Sequence, residues 1–464
     1  MTPSERVRTT WLPALGLVAL WVALCAFVHH RGVGVFAPLD RTWQLVDVAW
    51  LRADPLGTLW RLHAQPPLYN ATVAALLAGG IDPQGWVVHL GLDAMGAVGG
   101  LLTWRLALRL GAGPRTAWLA GALLMASPGY WLLAHWLFYD LPVTLLVTAL
   151  IWLVPTAVQT SLRRWMAVAG VVVALGWLRS LFHPLWAVGL FALAAWCHPT
   201  DRRRIWAAAS VAIGLMVLPY AKNLAQFGSP NASSWAGMSL LRTAHAHSSP
   251  QVRSALADQG RISRFGAIGP FRELTAYVAP PLPCRDPHPA LCAVHKRSGA
   301  PNFNHVAYID VSRQMAADAI AIYAAEPAAW ARALLGSWLA WLRPVGVYPF
   351  LRPARQPIDD LHVAWTRFAL VELDGAPVVL AFGVLVALAI LAARLSRALR
   401  AGPHRPELAV LAVAAWTTLW VAAVGNTLEH GENYRFRAYL DPLLLALCAS
   451  AMSQVAAGRL QNKP

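Results

Sequence analysis

The chain has 464 residues, of which 57% are hydrophobic and 13% charged, and its mean hydropathy is +0.47. Soluble domains carry roughly 25% charged residues, so this composition excludes an ordinary water-soluble fold. The formal net charge is +16, but the arginines separate apolar runs and do not form one continuous stripe. That distribution favours signals of membrane topology over a nucleic-acid surface, and no nucleic-acid partner is expected.

Apolar runs close to the ~20 residues that cross a bilayer recur along the chain and predict an all-α polytopic membrane protein. The first, residues 11–28, follows Arg6 and Arg8. It is longer than the apolar part of a usual signal peptide and lacks a small-x-small cleavage site, so an uncleaved signal anchor is favoured. The next run, residues 67–80, is short, and charge alone leaves open whether it crosses.

Short basic clusters alternate with the later apolar runs. By the positive-inside rule, residues 163–164, 202–204 and 394–405 are expected in the cytoplasm, together with both chain termini. The composition is typical of bacteria, so we predict a multi-pass protein of the bacterial plasma (inner) membrane with its active site facing outward. The runs that this topology treats as crossing segments are residues 141–158, 165–181, 184–197, 205–220, 377–393, 408–424 and 439–455.

This topology divides the chain into three predicted parts. Residues 1–220 form an N-terminal transmembrane module with a catalytic first external loop at 29–66. Residues 221–375 form an external, periplasmic-side region with a Trp-rich interfacial helix at 327–341, and residues 376–464 form C-terminal transmembrane helices.

Two cysteines, Cys284 and Cys292, share a polar stretch of the predicted external region. Disulfides form and persist in oxidising compartments. If this stretch faces such a space, the two cysteines are expected to form a disulfide.

The first external loop contains the most informative residues of the sequence. Between Asp40 and His63 the apolar residues have a helical spacing, which predicts one amphipathic helix with an acid at one end and an imidazole at the other. Such a pair can accept a proton from an acceptor and position a phosphate. The alternative is structural: Asp40 caps a helix and His63 lies at the membrane interface.

An acid in the first external loop, followed by the element His63-Ala-Gln-Pro-Pro-Leu-Tyr69 at the start of the second helix, resembles the GT-C superfamily of integral-membrane glycosyltransferases. This superfamily includes lipid A aminoarabinose transferases and protein O-mannosyltransferases. The resemblance is best over the first 160 residues. It differs from the usual pattern in that Ala64 and Gln65 separate His63 from the two prolines. It implies a GT-C-like helix bundle with external amphipathic helices, a large external loop region and a polyprenyl-phosphate-linked sugar donor.

Polar residues in later segments fit the same resemblance. Asp140 opens a helix and is expected on the outer side, where relatives carry an acid. Arg435 and Arg437 lie in the last external loop and can clamp a lipid phosphate by charge-assisted hydrogen bonds. Further candidates for substrate binding are Gln65, Arg179, Lys222 and Glu432. The alternatives are charges at helix ends, basic side chains that reach the lipid headgroups, and a solvated loop.

The function predicted from these residues is inverting transfer of a sugar from a polyprenyl phosphate to an envelope glycan, lipid or protein. Asp40 would act as base, with His63 and Asp140 beside it, and Arg435, Arg437 and Lys222 would neutralise the leaving phosphate. The sequence has no Walker loop, dinucleotide fingerprint or close Cys/His metal spacing, so no cofactor is expected beyond a divalent cation for which Asp40 is a candidate ligand. The rival hypotheses are a transporter or flippase of a lipid-linked or anionic substrate, and a non-catalytic protein that binds a lipid-linked glycan.

Overall fold

A computed structural model describes residues 3–155, 160–279, 284, 286–370, 372–373, 376–402 and 407–461. The described chain is almost entirely helical. Its strands are the antiparallel two-residue pair Glu372–Leu373 (β1) and Ala376–Pro377 (β2). The prediction of an all-α membrane protein is confirmed.

The helices of the first half of the chain are α1 Pro3–His30, α2 Val48–Ala53, α3 Pro55–Trp60, α4 Pro67–Ala78, α5 Trp86–Arg109, α6 Pro114–Ala126, α7 Pro128–Ala134, α8 Asp140–Leu153, α9 Leu162–Leu178, α10 Pro184–Cys197 and α11 Arg202–Phe227. Those of the second half are α12 Ala236–His245, α13 Pro250–Asp258, α14 Arg264–Ile268, α15 Pro289–Cys292, α16 Tyr308–Ala325, α17 Pro327–Trp341, α18 Arg352–Arg355, α19 Asp359–Leu370, α20 Val378–Arg400, α21 Leu408–Leu428, α22 Asn433–Ala438 and α23 Asp441–Gln461. Short 3-10 turns lie at Leu39–Arg41, Pro199–Asp201, Leu274–Ala276, Val345–Val347, Pro349–Leu351 and Gln356–Ile358.

Five helices of the described chain are long and apolar enough to cross a membrane, and a sixth crossing arises if α6 and α7, bent by 67° at their junction, count as one. The five segments are Trp11–His30, Trp86–Arg109, Pro199–Phe227, Leu380–Arg400 and Leu408–Leu428. Shorter apolar helices, among them α8 and α10, pack between them. The bend follows from Pro128, because proline has no N–H for the helical ladder.

Contacts between helix ends show how the bundle is arranged. Arg109, at the end of α5, donates to the carbonyl of Val154 after α8, and Arg394 of α20 donates to the carbonyl of Leu110 at 2.5 Å. These contacts, with the cluster at 202–204, define what we call the basic end of the bundle. Helices α12 to α19 follow the other end of α11, which we call the opposite end. Arg204 donates to the carbonyl of Thr160, just before α9, at 3.0 Å. The described residues of the predicted basic clusters therefore share one end, as the predicted topology requires.

The short apolar helix α4 does not join the two ends of the bundle. Its 12 residues span about 18 Å, less than the ~30 Å of a hydrocarbon core. Moreover, His29 at the end of α1 lies 2.6 Å from His89 near the start of α5, so the intervening chain leaves and returns at the same end. Residues 67–80, for which charge left the crossing open, therefore do not cross from one end of the bundle to the other.

The prediction of a single amphipathic helix between Asp40 and His63 is wrong. The structure has two short helices there, α2 and α3. The break falls at Asp54 and Pro55. Pro55 cannot donate to the ladder of α2, and the Asp54 carboxylate accepts from the backbone N–H of Gly57 at 2.9 Å, which starts α3 anew.

A second hydrophobic core lies outside the bundle. It is built mainly from α12 and α16 and includes the fully buried Met238, Tyr308 and Met315. The two helices approach closely at Gly237, where any β-carbon would collide with the Ser312 carbonyl oxygen. This second core holds α12 against the opposite end of the bundle, where α12 contacts α17 and α21.

Candidate functional site

A cavity of about 290 Å³ opens at the opposite end of the bundle. Its charged lining residues are Arg179, Arg242, Glu429 and Glu432. The cavity therefore combines two guanidinium groups with two carboxylates, a composition suited to a polar ligand.

Helix ends deliver these four side chains. Arg179 directly follows α9, Glu429 directly follows α21, and Glu432 directly precedes α22. Arg242 lies in the last turn of α12. The chain can turn between Glu429 and Glu432 because Gly431 adopts φ +90°, and a β-carbon at this glycine would lie 3.2 Å from Arg242.

A buried ion pair forms the wall behind the cavity. Arg435 donates to Asp140 through Nε at 2.9 Å and through Nη2 at 3.2 Å, and the exposed fractions of the two side chains are 0% and 1%. Arg435 also donates to Glu432, and the Tyr439 hydroxyl donates to Asp140. Three of the predicted site residues, Asp140, Glu432 and Arg435, thus meet in the structure, but as partners of one another.

The arginines that face the cavity form longer ion pairs than Arg435. Arg242 lies 3.4 Å from both Glu429 and Glu432, and Arg179 lies 3.5 Å from Asp140. Charge-assisted hydrogen bonds are normally about 2.7–2.9 Å long. Arg179 also donates to the Tyr439 hydroxyl. Unlike Arg435, Arg179 and Arg242 can therefore turn toward an anionic ligand without breaking a close ion pair.

The two cavity carboxylates have opposite pKa shifts. Burial, reinforced by the neighbouring Glu432 carboxylate, raises the pKa of Glu429 above its usual range. Burial also opposes ionisation of Glu432, but Arg435 and Arg242 outweigh it and lower the pKa of that carboxyl. Glu432 is therefore the fixed anion of the site, and Glu429 is the group suited to gain and lose a proton.

Aromatic rings form another wall of the cavity. Trp43, 43% exposed, stacks on Phe271 with ring centroids 5.6 Å apart, and Trp235 meets Phe271 edge to face. Phe271 has φ +55°, a backbone conformation that a residue other than glycine adopts at a cost of about 1–3 kcal/mol. The fold thus keeps the Phe271 ring in the cavity wall although its backbone conformation is strained.

An apolar groove of about 590 Å³ adjoins the cavity, and Gln65 and Ala232 line both. Most of its remaining lining is apolar and includes Leu56, Trp60 and Leu218, which are 80%, 61% and 52% exposed. A polar chamber and an apolar groove therefore form one continuous, amphiphilic surface.

The structure places the predicted pair Asp40 and His63 outside this cavity. Asp40 is exposed, and the buried Lys296 binds its backbone carbonyl at 3.3 Å. His63 is 1% exposed and contacts Ser234 at 2.8 Å and the Asn304 carbonyl at 2.9 Å. Burial lowers the pKa of His63 to about 3, so it is a neutral residue that joins the loop after α1 to the second core.

Two predicted phosphate ligands are also directed elsewhere. Arg437 pairs with Asp441 at 2.6 Å and does not line the cavity. Lys222 donates to the carbonyl of Leu62 and lines the apolar groove.

The cysteines Cys284 and Cys292 are joined as a disulfide, with Cα atoms 5.6 Å apart, in the region of the second core.

Sequence reasoning did not select Arg242 and Glu429 as site residues. Glu429 stands three residues before Glu432 in the loop that had been singled out, so an acidic pair was visible there. No sequence motif marks Arg242, because it is one basic residue of an ordinary amphipathic helix.

Residues able to share a metal ion lie apart from the cavity. Among the described residues, a group of this kind is formed by His29, His89, Asp93 and His135, none of which lines the cavity.

The number, length and apolar composition of its helices define a multi-pass helical membrane protein. No protein-family model matches the chain, and no curated protein matches it. A comparison with solved structures finds a likeness to "ArnT from Cupriavidus metallidurans bound to Undecaprenyl phosphate", with a TM-score of 0.36, 16% sequence identity, and coverage of 96% of this chain and 79% of that chain.

Proposed function

We propose that the protein is an inverting glycosyltransferase that moves a sugar from a polyprenyl-phosphate donor to a cell-envelope acceptor. The observation that carries this proposal is the continuity of the charged cavity with the apolar groove through Gln65 and Ala232. A lipid phosphate has the same division into an anionic head and a hydrocarbon chain. The exposed apolar residues of the groove give such a lipid a path from the bilayer.

In this proposal the phosphate of the donor lies between Arg179 and Arg242. Both side chains face the cavity and have long contacts to their present carboxylate partners. Planar guanidinium groups match the geometry of phosphate oxygens and stabilise the charge that a leaving phosphate gains. These two arginines replace Arg435 and Arg437 of the sequence-based hypothesis, while Lys222 lies along the lipid groove.

Glu429 takes the role of base that the sequence-based hypothesis gave to Asp40. Its carboxylate accepts the proton of an acceptor hydroxyl, the hydroxyl oxygen bonds to the anomeric carbon, and the carbon–oxygen bond to phosphate breaks, with its electron pair on the phosphate. Attack opposite the leaving phosphate inverts the anomeric centre. Trp43 and Phe271 offer aromatic faces to the sugar ring.

The proposed location is the bacterial inner membrane, with the basic end in the cytoplasm and the cavity facing outward. The acceptor is an envelope glycan, lipid or protein.

Binding of undecaprenyl phosphate to the purified full-length protein, measured by native mass spectrometry, tests the proposal. We expect one bound lipid per protein, and at least tenfold weaker binding in the double variant Arg179→Gln/Arg242→Gln. Arg313→Gln is the matched control, because Arg313 is 63% exposed on α16 and pairs only with Asp310 among the contacts described. Equal binding by the double variant and the control, or equal binding of undecaprenol without phosphate, would contradict the proposal.

Turnover then separates a transferase from a flippase. Any transfer from a polyprenyl-phosphate sugar releases free polyprenyl phosphate, so its appearance can be measured with a panel of lipid-linked sugars and an envelope extract as acceptor source. Lipid that crosses proteoliposome membranes with its sugar still attached would support the flippase instead.

A further inference from the structure

Four side chains from three separate parts of the chain converge beside the bundle end that carries the cavity. His29 is in the last turn of α1, His89 and Asp93 are one turn apart on α5, and His135 directly follows α7. Each offers one ligand atom, and these four atoms all lie within 4.8 Å of one another. The Nε2 atom of His29 is 2.6 Å from that of His89 and 3.0 Å from that of His135.

The protonation of His135 is set by its other nitrogen. Its Nδ1 lies 2.8 Å from the carbonyl oxygen of Trp131, so Nδ1 carries the hydrogen and donates it. In the neutral ring the Nε2 lone pair then points at the other three groups. A backbone carbonyl that orients an imidazole in this way is the usual outer partner of a metal-binding histidine.

The three imidazoles cannot satisfy one another in their neutral forms. If His29 Nε2 carries a hydrogen, the Nε2 atoms of His135 and His89 must both accept that single hydrogen. If His29 Nε2 is bare, it accepts from His89, and two lone pairs face each other across the 3.0 Å contact to His135. An ion at the centre of the group removes this conflict, because each nitrogen then directs its lone pair at a positive charge.

Asp93 supplies a carboxylate on the same side of the cluster. Its oxygens lie 3.3 Å from His135 Nε2 and 3.9 Å from His29 Nε2. The backbone carbonyl of Asp93 accepts from the Trp21 indole at 2.7 Å, and the Cys25 thiol lies 3.4 Å from Oδ1. The acid is therefore held in place by α1.

We propose that His29, His89, His135 and Asp93 form a binding site for a single zinc-like transition-metal ion. Three imidazole nitrogens and one carboxylate oxygen are a tetrahedral zinc ligand set, and with Zn–N distances of about 2.0–2.1 Å the ligand atoms lie ~3.3 Å apart. The observed separations bracket this spacing. The His29 and Asp93 side chains are 32% and 19% exposed, which leaves an entry path for the ion.

Four protein ligands close the coordination sphere, so the role of this metal is structural. It ties the end of α1 and the start of α5 to the segment that leads into α8. The carbonyl of His135 also accepts from the backbone N–H of Phe36 at 2.7 Å, and Asp140 begins α8 five residues later. The site thus fixes the chain that carries the Asp140–Arg435 pair.

Metal content of the untagged full-length protein tests this inference and does not depend on the proposed transferase activity. After chelation and incubation with Zn²⁺ we expect about one zinc per protein by mass spectrometry of the metal, and a higher Tm than in the metal-free protein. His89→Gln should weaken zinc binding by at least about 10²-fold, more than the 10–100-fold typical of a lost outer partner. His30→Gln, a change of the exposed neighbouring histidine, should retain the zinc.

X-ray absorption of the zinc-loaded wild-type protein keeps the test independent of how the variants fold. We expect a first shell of light atoms at about 2.0–2.1 Å with imidazole scattering behind it. A wild-type protein without bound zinc, or His89→Gln and Asp93→Asn proteins that bind zinc as tightly as His30→Gln, would overturn the inference. In that case the cluster is a hydrogen-bonded histidine group only.

Discussion

At the scale of single residues, two carboxylates compete for the role of base. Glu429 lines the cavity and has a raised pKa, whereas Asp40 is exposed outside it. Glu429→Gln keeps shape and hydrogen bonding but removes basicity, so we expect the rate of sugar transfer to fall by about 10²–10⁴-fold. We expect Asp40→Asn to leave turnover intact. The reverse pattern, measured with the same lipid-linked donor, would restore the assignment made from sequence.

The raised pKa of Glu429 also predicts a pH dependence. A base must be ionised to act, so kcat/KM should rise with pH as Glu429 loses its proton. Because burial and Glu432 raise the pKa, this rise should lie above the ~4.3 of an ordinary glutamic acid. The measurement is the pH profile of kcat/KM. A rise that persists unchanged in the residual activity of Glu429→Gln would show that another group titrates.

The pair Asp140–Arg435 is predicted to matter for stability. Asp140→Asn leaves the buried Arg435 with Glu432 as its remaining charged partner, and the loss of one member of a buried ion pair typically costs about 3–5 kcal/mol. We expect a clear fall in Tm in detergent. The control Asp310→Asn breaks an exposed pair with Arg313 and should change Tm little. Equal shifts in both variants would contradict the prediction.

At the scale of elements, the disulfide stabilises the segment that precedes Asn302 and Asn304. Cys284 and Cys292 are eight residues apart, and the chain-entropy estimate gives ~2–3 kcal/mol for closing so short a loop. We expect Cys292→Ser to lower Tm, and a reducing agent to lower the Tm of the wild-type protein but not that of the variant. If reduction lowers both equally, the disulfide is not the cause.

At the scale of the whole molecule, the alternating direction of the helices predicts the sides of the membrane. Ser161, exposed beside the basic end, is expected in the cytoplasm, and Asp310, 82% exposed on α16, is expected outside. Cys25, Cys197 and Cys448 are first replaced, and Ser161→Cys and Asp310→Cys are compared. A membrane-impermeant maleimide should label only the latter in intact cells. Labelling of only the former would invert the topology.

The position of the charged residues in the bundle bears on the transporter hypothesis. The described chain does contain one broken helix pair, α6 and α7. The charged groups of the candidate site, however, gather at one end of the bundle, beside Arg179 and Glu429, and do not lie along its middle. This placement favours chemistry at a membrane surface over passage through the bundle.

Features that depend on local properties could be predicted from the amino-acid sequence. Hydrophobic runs defined the membrane bundle, arginine clusters marked one of its ends, and residues 327–341 form a helix with the predicted bounds, because helix formation and burial follow from nearby residues. It also pointed to Arg179 and Glu432, which stand at helix ends beside polar loops.

Which of these side chains meet depends on how the helices pack. Arg179 and Glu429 directly follow α9 and α21, and Arg242 lies on α12. Ion pairing among them depends on distances that packing alone sets. Packing also turned Arg435 toward Asp140, left Asp40 exposed, and gathered His29, His89 and His135 into one cluster. No spacing along the chain encodes these contacts, because they arise where distant helices end at the same face of the bundle.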